Sequence, residues 1–277
     1  MRAAVAKKED LYYNALARYL LPMEVPELSG LGQNYYGSLC AEMYDILHRT
    51  APADELAFYL SYAEKGQKIL EPLCGNGRFL VPFLEQGFDI TGLDLSEEML
   101  AKLRQRAPGA QAFRADITTY SGRETYDYIF VPSCSISLFT DIKQCKQVLR
   151  KLNALLAKGG RLVFSVDTIA SRCTDDGDYQ TTASVKTREG FDLILKSKNH
   201  YDERSQTQFS PGIYELYREG ELLSQERMDF QTHLYQAGEM EQYLRESGFS
   251  AVLSYSSYHK TPVSGDDYEI LLYECSL

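Results

Sequence analysis

The sequence predicts an α/β protein: a doubly wound, mostly parallel seven-stranded sheet with an antiparallel β insert and N-terminal helices. Three observations predict it. Between residues 67 and 167, short apolar strand patterns alternate with helical patterns, the rhythm of parallel strands covered by helices on both faces. A turn carrying Gly75 and Gly77 joins the first strand to its helix. Residues 181–235 then abandon the alternation for strand patterns separated by short polar turns.

In chain order, residues 8–20 place Leu11, Ala15, Tyr19, Leu16 and Leu20 at helical spacing. Pro22 and Pro26 end that helix. Further helices are expected around 36–48 and, after Pro52, near 53–64. Residues 67–72 form the first strand. The following helix must hold Pro82 in its first turn or kink there. Strand 88–94 leads to helix 96–106, with Ser96 as N-cap. Strands 111–116 and 126–131 follow. Helix 141–157 puts Cys145, Val148, Leu149, Leu152, Leu155 and Leu156 on one face, and Gly159 and Gly160 are expected to stop it. Residues 161–167 are the fifth strand. In the insert, Tyr201-Asp202 and Glu219-Gly220 are expected to be turns. A helix at 237–249 and strands near 250–256 and 268–275 complete the pattern.

Composition narrows the functions. The hydrophobic share of 44% and charged share of 25% are ordinary for a globular protein. No run approaches the roughly 18 apolar residues of a membrane span. The N-terminal MRAAVAKKEDLYY has no apolar signal core, so the cytoplasm is the expected location and no membrane partner is expected. A net charge of −10 repels a phosphate backbone, which disfavours nucleic acid as a partner. The six cysteines form no CxxC or Cys/His cluster, so no metal centre is expected and the thiols should be reduced and mostly buried.

The sharpest feature is the edge formed by Glu71, Gly75, Gly77 and Asp94. Glycine lets the backbone come close to a ligand and take positive φ. Asp94 ends the next strand, at the carboxyl edge where open α/β sheets bind ligands. As an acid facing solvent there, it is expected to contribute little to packing. Three ligands suit such an edge. A P-loop is excluded because Arg78 and Phe79 follow Gly77 in place of Lys-Ser/Thr. A dinucleotide turn would need a third small residue where Leu80 stands. An adenosine without phosphates remains, its ribose held by Asp94.

With these residues, the chain resembles the small-molecule class I S-adenosylmethionine-dependent methyltransferases. The resemblance aligns Glu71, Leu73, Gly75 and Gly77 with the family's first motif; its first glycine is Leu73 here. It implies S-adenosylmethionine as cofactor, with Glu71 acting on its amino group and Asp94 on the ribose. Asn76 belongs to the same turn, and Leu95 to the ribose edge. Asp116 would meet the adenine amino group, the Ile117 backbone the ring, and Met99 would cover the adenine. Val131 and Ser133 would line the methionine side. Tyr36 and Tyr44 match a helix that covers the cofactor. The likeness extends over 34–277, making 1–33 a helical extension and 181–235 a substrate-covering insert.

The reaction implied is methyl transfer to a small-molecule nucleophile, nitrogen or oxygen. A base is needed only if that nucleophile must lose a proton. His233, which closes the insert, His200 and Tyr36 are the catalytic candidates. The 21 tyrosines and absent tryptophan suit an aromatic, sugar or amine substrate. A nucleotide-dependent oxidoreductase and a non-catalytic S-adenosylmethionine-binding protein remain alternatives, and a homodimer is left open.

Overall fold

A computed structural model describes residues 33–277. The expected helix over 8–20, and with it nearly all of the 1–33 extension, lies outside the described residues. The central sheet has seven strands in the order β13-β14-β5-β4-β1-β2-β3. The strands are β1 (Lys68–Pro72), β2 (Asp89–Asp94), β3 (Gln111–Arg114), β4 (Tyr126–Val131), β5 (Leu156–Asp167), β13 (Ala251–Tyr255) and β14 (Ile270–Ser276). β1 to β5 pair in parallel, and β14 runs antiparallel to both β5 and β13. The strand order reverses between β1 and β4, which opens a crevice at their carboxyl ends.

Both faces of the sheet are covered, so its central strands are apolar on both sides. Along β4, Ile129 and Val131 join one core with α5 (Ile142–Leu155) and α6 (Glu239–Glu246), while Tyr128 and Phe130 join the other. That second core contains α2 (Ala53–Leu60), α3 (Leu80–Glu85) and α4 (Glu97–Arg106). Pro82 sits in the first turn of α3, where its missing N–H costs nothing. Ser96 caps α4, its Oγ accepting the Met99 N–H at 3.1 Å.

The glycine pair after α5 works differently from the expectation. The helix ends at Leu155, and Leu156 already pairs with Tyr126 of β4. Tyr128 next pairs with Arg161, so extra residues bulge from β5 between these points. Gly159 takes φ +81° there, and a Cβ on Gly160 would lie 2.9 Å from the Tyr126 carbonyl. The glycines shape a bulge within the strand rather than stop the helix.

The insert forms two antiparallel sheets. β6 (Gln180–Lys186), β7 (Asp192–Ser197), β10 (Gly212–Arg218) and β11 (Glu221–Met228) make the larger; β8 (His200–Asp202), β9 (Thr207–Phe209) and β12 (Gln231–His233) make the smaller. Glu219-Gly220 is a turn with both residues at positive φ, matching the hairpin geometry expected. Tyr201-Asp202 instead lies in β8. The turn comes one step later because the Asp202 carboxylate accepts the Arg204 and Ser205 N–H groups. The larger sheet packs on α1 (Ser38–Leu47): Leu39, Cys40 and Met43 meet Leu193, Tyr214, Leu216 and Met228. Among the described residues, no helix is long and apolar enough to cross a membrane.

Candidate active site

The crevice beside the reversal point holds a cavity of about 340 Å³, within the range of small-molecule sites. Its floor is the turn after β1. Leu73 has φ +60° and Gly75 φ +53°, and the Cys74 N–H donates to Leu93 O at 3.0 Å, tying the turn to β2. A Cβ on Gly75 would lie 3.0 Å from the Met99 methyl. Gly77 faces elsewhere: its missing Cβ makes room for Leu103 of α4, at 2.8 Å.

Asp94 is built into this floor. Its Oδ2 accepts the Gly75 N–H at 2.7 Å and its Oδ1 the Ser96 N–H at 2.8 Å. Burial raises its pKa, opposed by those hydrogen bonds. The acid expected to face solvent thus holds two loops together, because both backbone donors lack another partner at this edge. Glu71 is 1% exposed, and among the described residues its Oε2 has no hydrogen-bond partner. Burial pushes its pKa well above the carboxylate range, partly opposed by the Arg78 charge. Asn76 donates to Asp45 Oδ1 and the His48 carbonyl, leaving its own Oδ1 buried and unpartnered. Two buried acceptors without donors therefore border one cavity. Buried polar atoms are rarely left so.

Arg78 is the only Lys, Arg or His side chain lining the cavity among the described residues. Its Nη2 donates to Ser133 Oγ at 2.5 Å, and its guanidinium lies 5.5 Å from the Tyr44 ring centroid. Ser133 and Cys134 follow β4 in consecutive left-handed conformations, φ +57° and +54°. Each costs a non-glycine residue about 1–2 kcal/mol. Asp116 lines the far side, its Oδ1 accepting from the Thr118 N–H and hydroxyl.

The roof is the segment from Gln33 to α1. Tyr36 and Tyr44 line the cavity with their rings edge to face at 5.7 Å. Ser96 Oγ donates to Tyr36 O, and the Tyr35 hydroxyl donates to Glu98. Asn34 ties this segment to the insert: Gln231 N donates to its Oδ1 and its Nδ2 donates to Gln231 O. Behind α1, Glu226 of β11 accepts the Leu39 and Cys40 N–H groups at 2.9 and 3.0 Å, capping the helix from outside.

Ten of the expected cofactor residues line the cavity: Tyr36, Tyr44, Glu71, Gly75, Asn76, Asp94, Leu95, Met99, Asp116 and Ser133. Ile117 and Val131 are buried in the core beneath it, and Gly77 packs against α4. The histidines are elsewhere. His233 is 2% exposed, its Nε2 3.0 Å from Glu239 Oε1 and its ring against Tyr235. Partial burial raises the Glu239 pKa, but hydrogen bonds from His233, Tyr243, Gln236 and Gln206 bring it down to about 2. His200 is on the surface, paired with Asp175. Neither ring lines the cavity, because the small sheet carrying them turns His233 toward α6 and His200 toward solvent. Tyr36 does line it, and burial raises its pKa, which opposes loss of the phenol proton. The insert, expected to cover substrate, contributes no lining residue; it packs on the outer side of α1. The sequence reading missed Arg78. Its signal was a cation directly after the glycine turn.

Comparison with known proteins bears on this cavity. A family model described as "Methyltransferase domain" matches residues 69–160, from β1 into the β5 bulge. A dTDP-3-amino-3,6-dideoxy-alpha-D-glucopyranose N,N-dimethyltransferase from Streptomyces fradiae is 30% identical over 179 residues, 58% of this chain and 70% of that one. Among solved structures, the CcbJ methyltransferase from Streptomyces caelestis superposes with a TM-score of 0.70 at 18% identity, over 88% of this chain and 98% of that one. The sugar N-methyltransferase KedS8 from Streptoalloteichus sp. gives 0.67 at 18% identity, over 87% and 96%.

Proposed function

Because the chain belongs to the class I S-adenosylmethionine-dependent methyltransferases, we propose that it methylates the nitrogen of a small-molecule amine. The expectation of a methyltransferase holds, and the oxidoreductase alternative falls with the family. One observation carries the reading of the site. Among the described residues, Glu71 and Asn76, each with a buried unpartnered acceptor, line the same cavity as its one cationic side chain, Arg78. An amino acid zwitterion presents the complementary ammonium and carboxylate.

In this reading Glu71 Oε2 and Asn76 Oδ1 accept from the cofactor's ammonium, and Arg78 holds its carboxylate. Asp94 keeps a lone pair on each oxygen for the ribose hydroxyls. Asp116 meets the adenine amino group, with Leu95 and Met99 against the ring. When bound, S-adenosylmethionine supplies a methyl group already activated by a positive sulfur. The Tyr36 and Tyr44 rings offer π faces to that charge. What remains for the protein is to align acceptor, carbon and sulfur, worth about 7–11 kcal/mol of barrier.

An amine is favoured because its neutral form is nucleophilic before any proton leaves, and the methylated ammonium can release a proton to solvent afterwards. No imidazole or lysine lines the cavity among the described residues, and burial raises the Tyr36 and Tyr44 pKa values. An alcohol would ask such walls for a base. The N-methyltransferase relatives point the same way. Incubation with S-adenosylmethionine and a panel of amino sugars, aryl amines and matched alcohols, read by mass spectrometry, tests this. Methylation of amines alone is expected; transfer to the alcohols alone would overturn it.

A further inference from the structure

We propose that Glu55 is a positioning residue for the carboxylate end of the cofactor, acting through Ser133 on Arg78. The inference rests on the cofactor reading given above. Glu55 stands in the first turn of α2 and is 4% exposed, yet it does not line the cavity. Its Oε1 accepts the Ser133 N–H at 2.7 Å and lies 3.4 Å from Ser133 Oγ. That Oγ in turn accepts from Arg78 Nη2. The three groups form a chain: the guanidinium donates to the hydroxyl, and the hydroxyl's own proton is directed to the buried carboxylate.

The backbone explains why a buried acceptor is needed there. Ser133 and Cys134 both hold the left-handed conformation, which neither side chain favours. Such a turn persists only where its surroundings fix it. Ser165 Oγ takes the Cys134 N–H at 2.9 Å from β5, and Glu55 takes the Ser133 N–H from α2. Burial raises the Glu55 pKa, opposed by the hydrogen bond from the Ser133 N–H and by the Arg78 charge nearby. An acid buried at a helix start costs desolvation that an apolar residue would avoid. Here its Oε1 is satisfied by the turn that carries the hydroxyl for Arg78, and Tyr258 hydrogen-bonds the same side chain. Without Glu55, the turn loses one of the two side-chain acceptors of its N–H groups, and the Arg78 guanidinium loses its fixed hydroxyl.

The test is calorimetry with two ligands: S-adenosylmethionine, and its decarboxylated analogue, which keeps the amine and adenosine. In Glu55→Ala, the affinity for S-adenosylmethionine should fall roughly tenfold or more, the scale of a weakened charge-assisted contact. Affinity for the decarboxylated analogue should stay within about twofold. Glu55→Gln, which keeps an acceptor for the Ser133 N–H, should recover most of the loss. Equal losses for both ligands would make Glu55 a merely structural residue and overturn the proposal, as would no loss with either. If Glu55→Ala does not fold, Ser133→Gly decides, since glycine keeps the left-handed turn and removes only the hydroxyl. A loss confined to S-adenosylmethionine supports the proposal, and any other pattern overturns it. Failure of the unaltered protein to bind either ligand would be a failure of the cofactor reading itself, recognisable before any variant is made.

Discussion

Leu73 holds a backbone conformation that costs it about 1–2 kcal/mol and would cost glycine almost nothing. Its side chain packs partly on the core, which offsets the strain. An unusual order of stability should result. Leu73→Ala keeps the strain and loses the packing, so it should lower the unfolding free energy by about 1–3 kcal/mol. Leu73→Gly loses the packing but also the strain, and should unfold at higher urea than the alanine variant. Asp94 calls for a different pair of measurements. Removal of its carboxylate orphans the Gly75 and Ser96 N–H groups, so Asp94→Ala should lose about 1–3 kcal/mol of stability as well as cofactor affinity. Urea melts without ligand would show the first effect and calorimetry the second. A variant with native stability would refute the bracing role. Glu71 sets a pH dependence. Burial raises its pKa in the empty protein, so the folded state holds the proton above the pH where the unfolded chain releases it. Its contribution to stability therefore falls as pH rises through that window. An ammonium bound beside it favours the charged form, so cofactor binding should release protons and strengthen as pH rises. Binding enthalpies that vary with the ionisation enthalpy of the buffer would show the release. Glu71, Asp94 and Asp116 were legible because each closes a local strand pattern. Glu55 and the partners of Arg78 were not, since their contacts join segments 55 or more residues apart.

At the scale of elements, the helix expected to cover the cofactor lies over the cavity, while the insert expected to cover substrate does not line it. Residues 33–48 cover the cavity, and the larger insert sheet holds that cover from behind. Cofactor binding should slow amide exchange across 33–48 and leave β6 and β7 unchanged. Slowing confined to 181–235 would restore the insert as the cover. Glu226 is the clasp between the two: Glu226→Ala leaves two N–H groups of α1 uncapped and should cost about 1–2 kcal/mol. Faster exchange at Leu39 and Cys40 would report it. Gly37 belongs to the same clasp, since a Cβ there would sit 2.7 Å from the Glu226 carboxylate. Strand alternation revealed the insert as a set of hairpins. It gave no sign of which face α1 would cover, because that depends on a helix more than 130 residues earlier in the chain. The histidines lie off the cavity for the same reason: position in the insert says nothing about the direction of the ring.

For the molecule as a whole, the parallel sheet was readable because each strand and its following helix form a local unit whose crossover hand is fixed. The bulge in β5 was not, since two glycines after a helix look alike whether they end it or bend the next strand. Ligand linkage gives a global check: S-adenosylhomocysteine at 100 times its Kd should add about 2.7 kcal/mol to the unfolding free energy, visible as a raised melting temperature. The roof has one more consequence, for a chain still being made. Glu226 lies 187 residues beyond Leu39, and Gln231 lies 197 beyond Asn34. At roughly 5–20 residues per second, the ribosome needs on the order of ten to forty seconds to supply the clasp after the helix it secures. The glycine floor is complete early in translation, while the residues that roof it wait for their fastening. A nascent chain halted before residue 226 would have the floor without the clasp that fastens its roof.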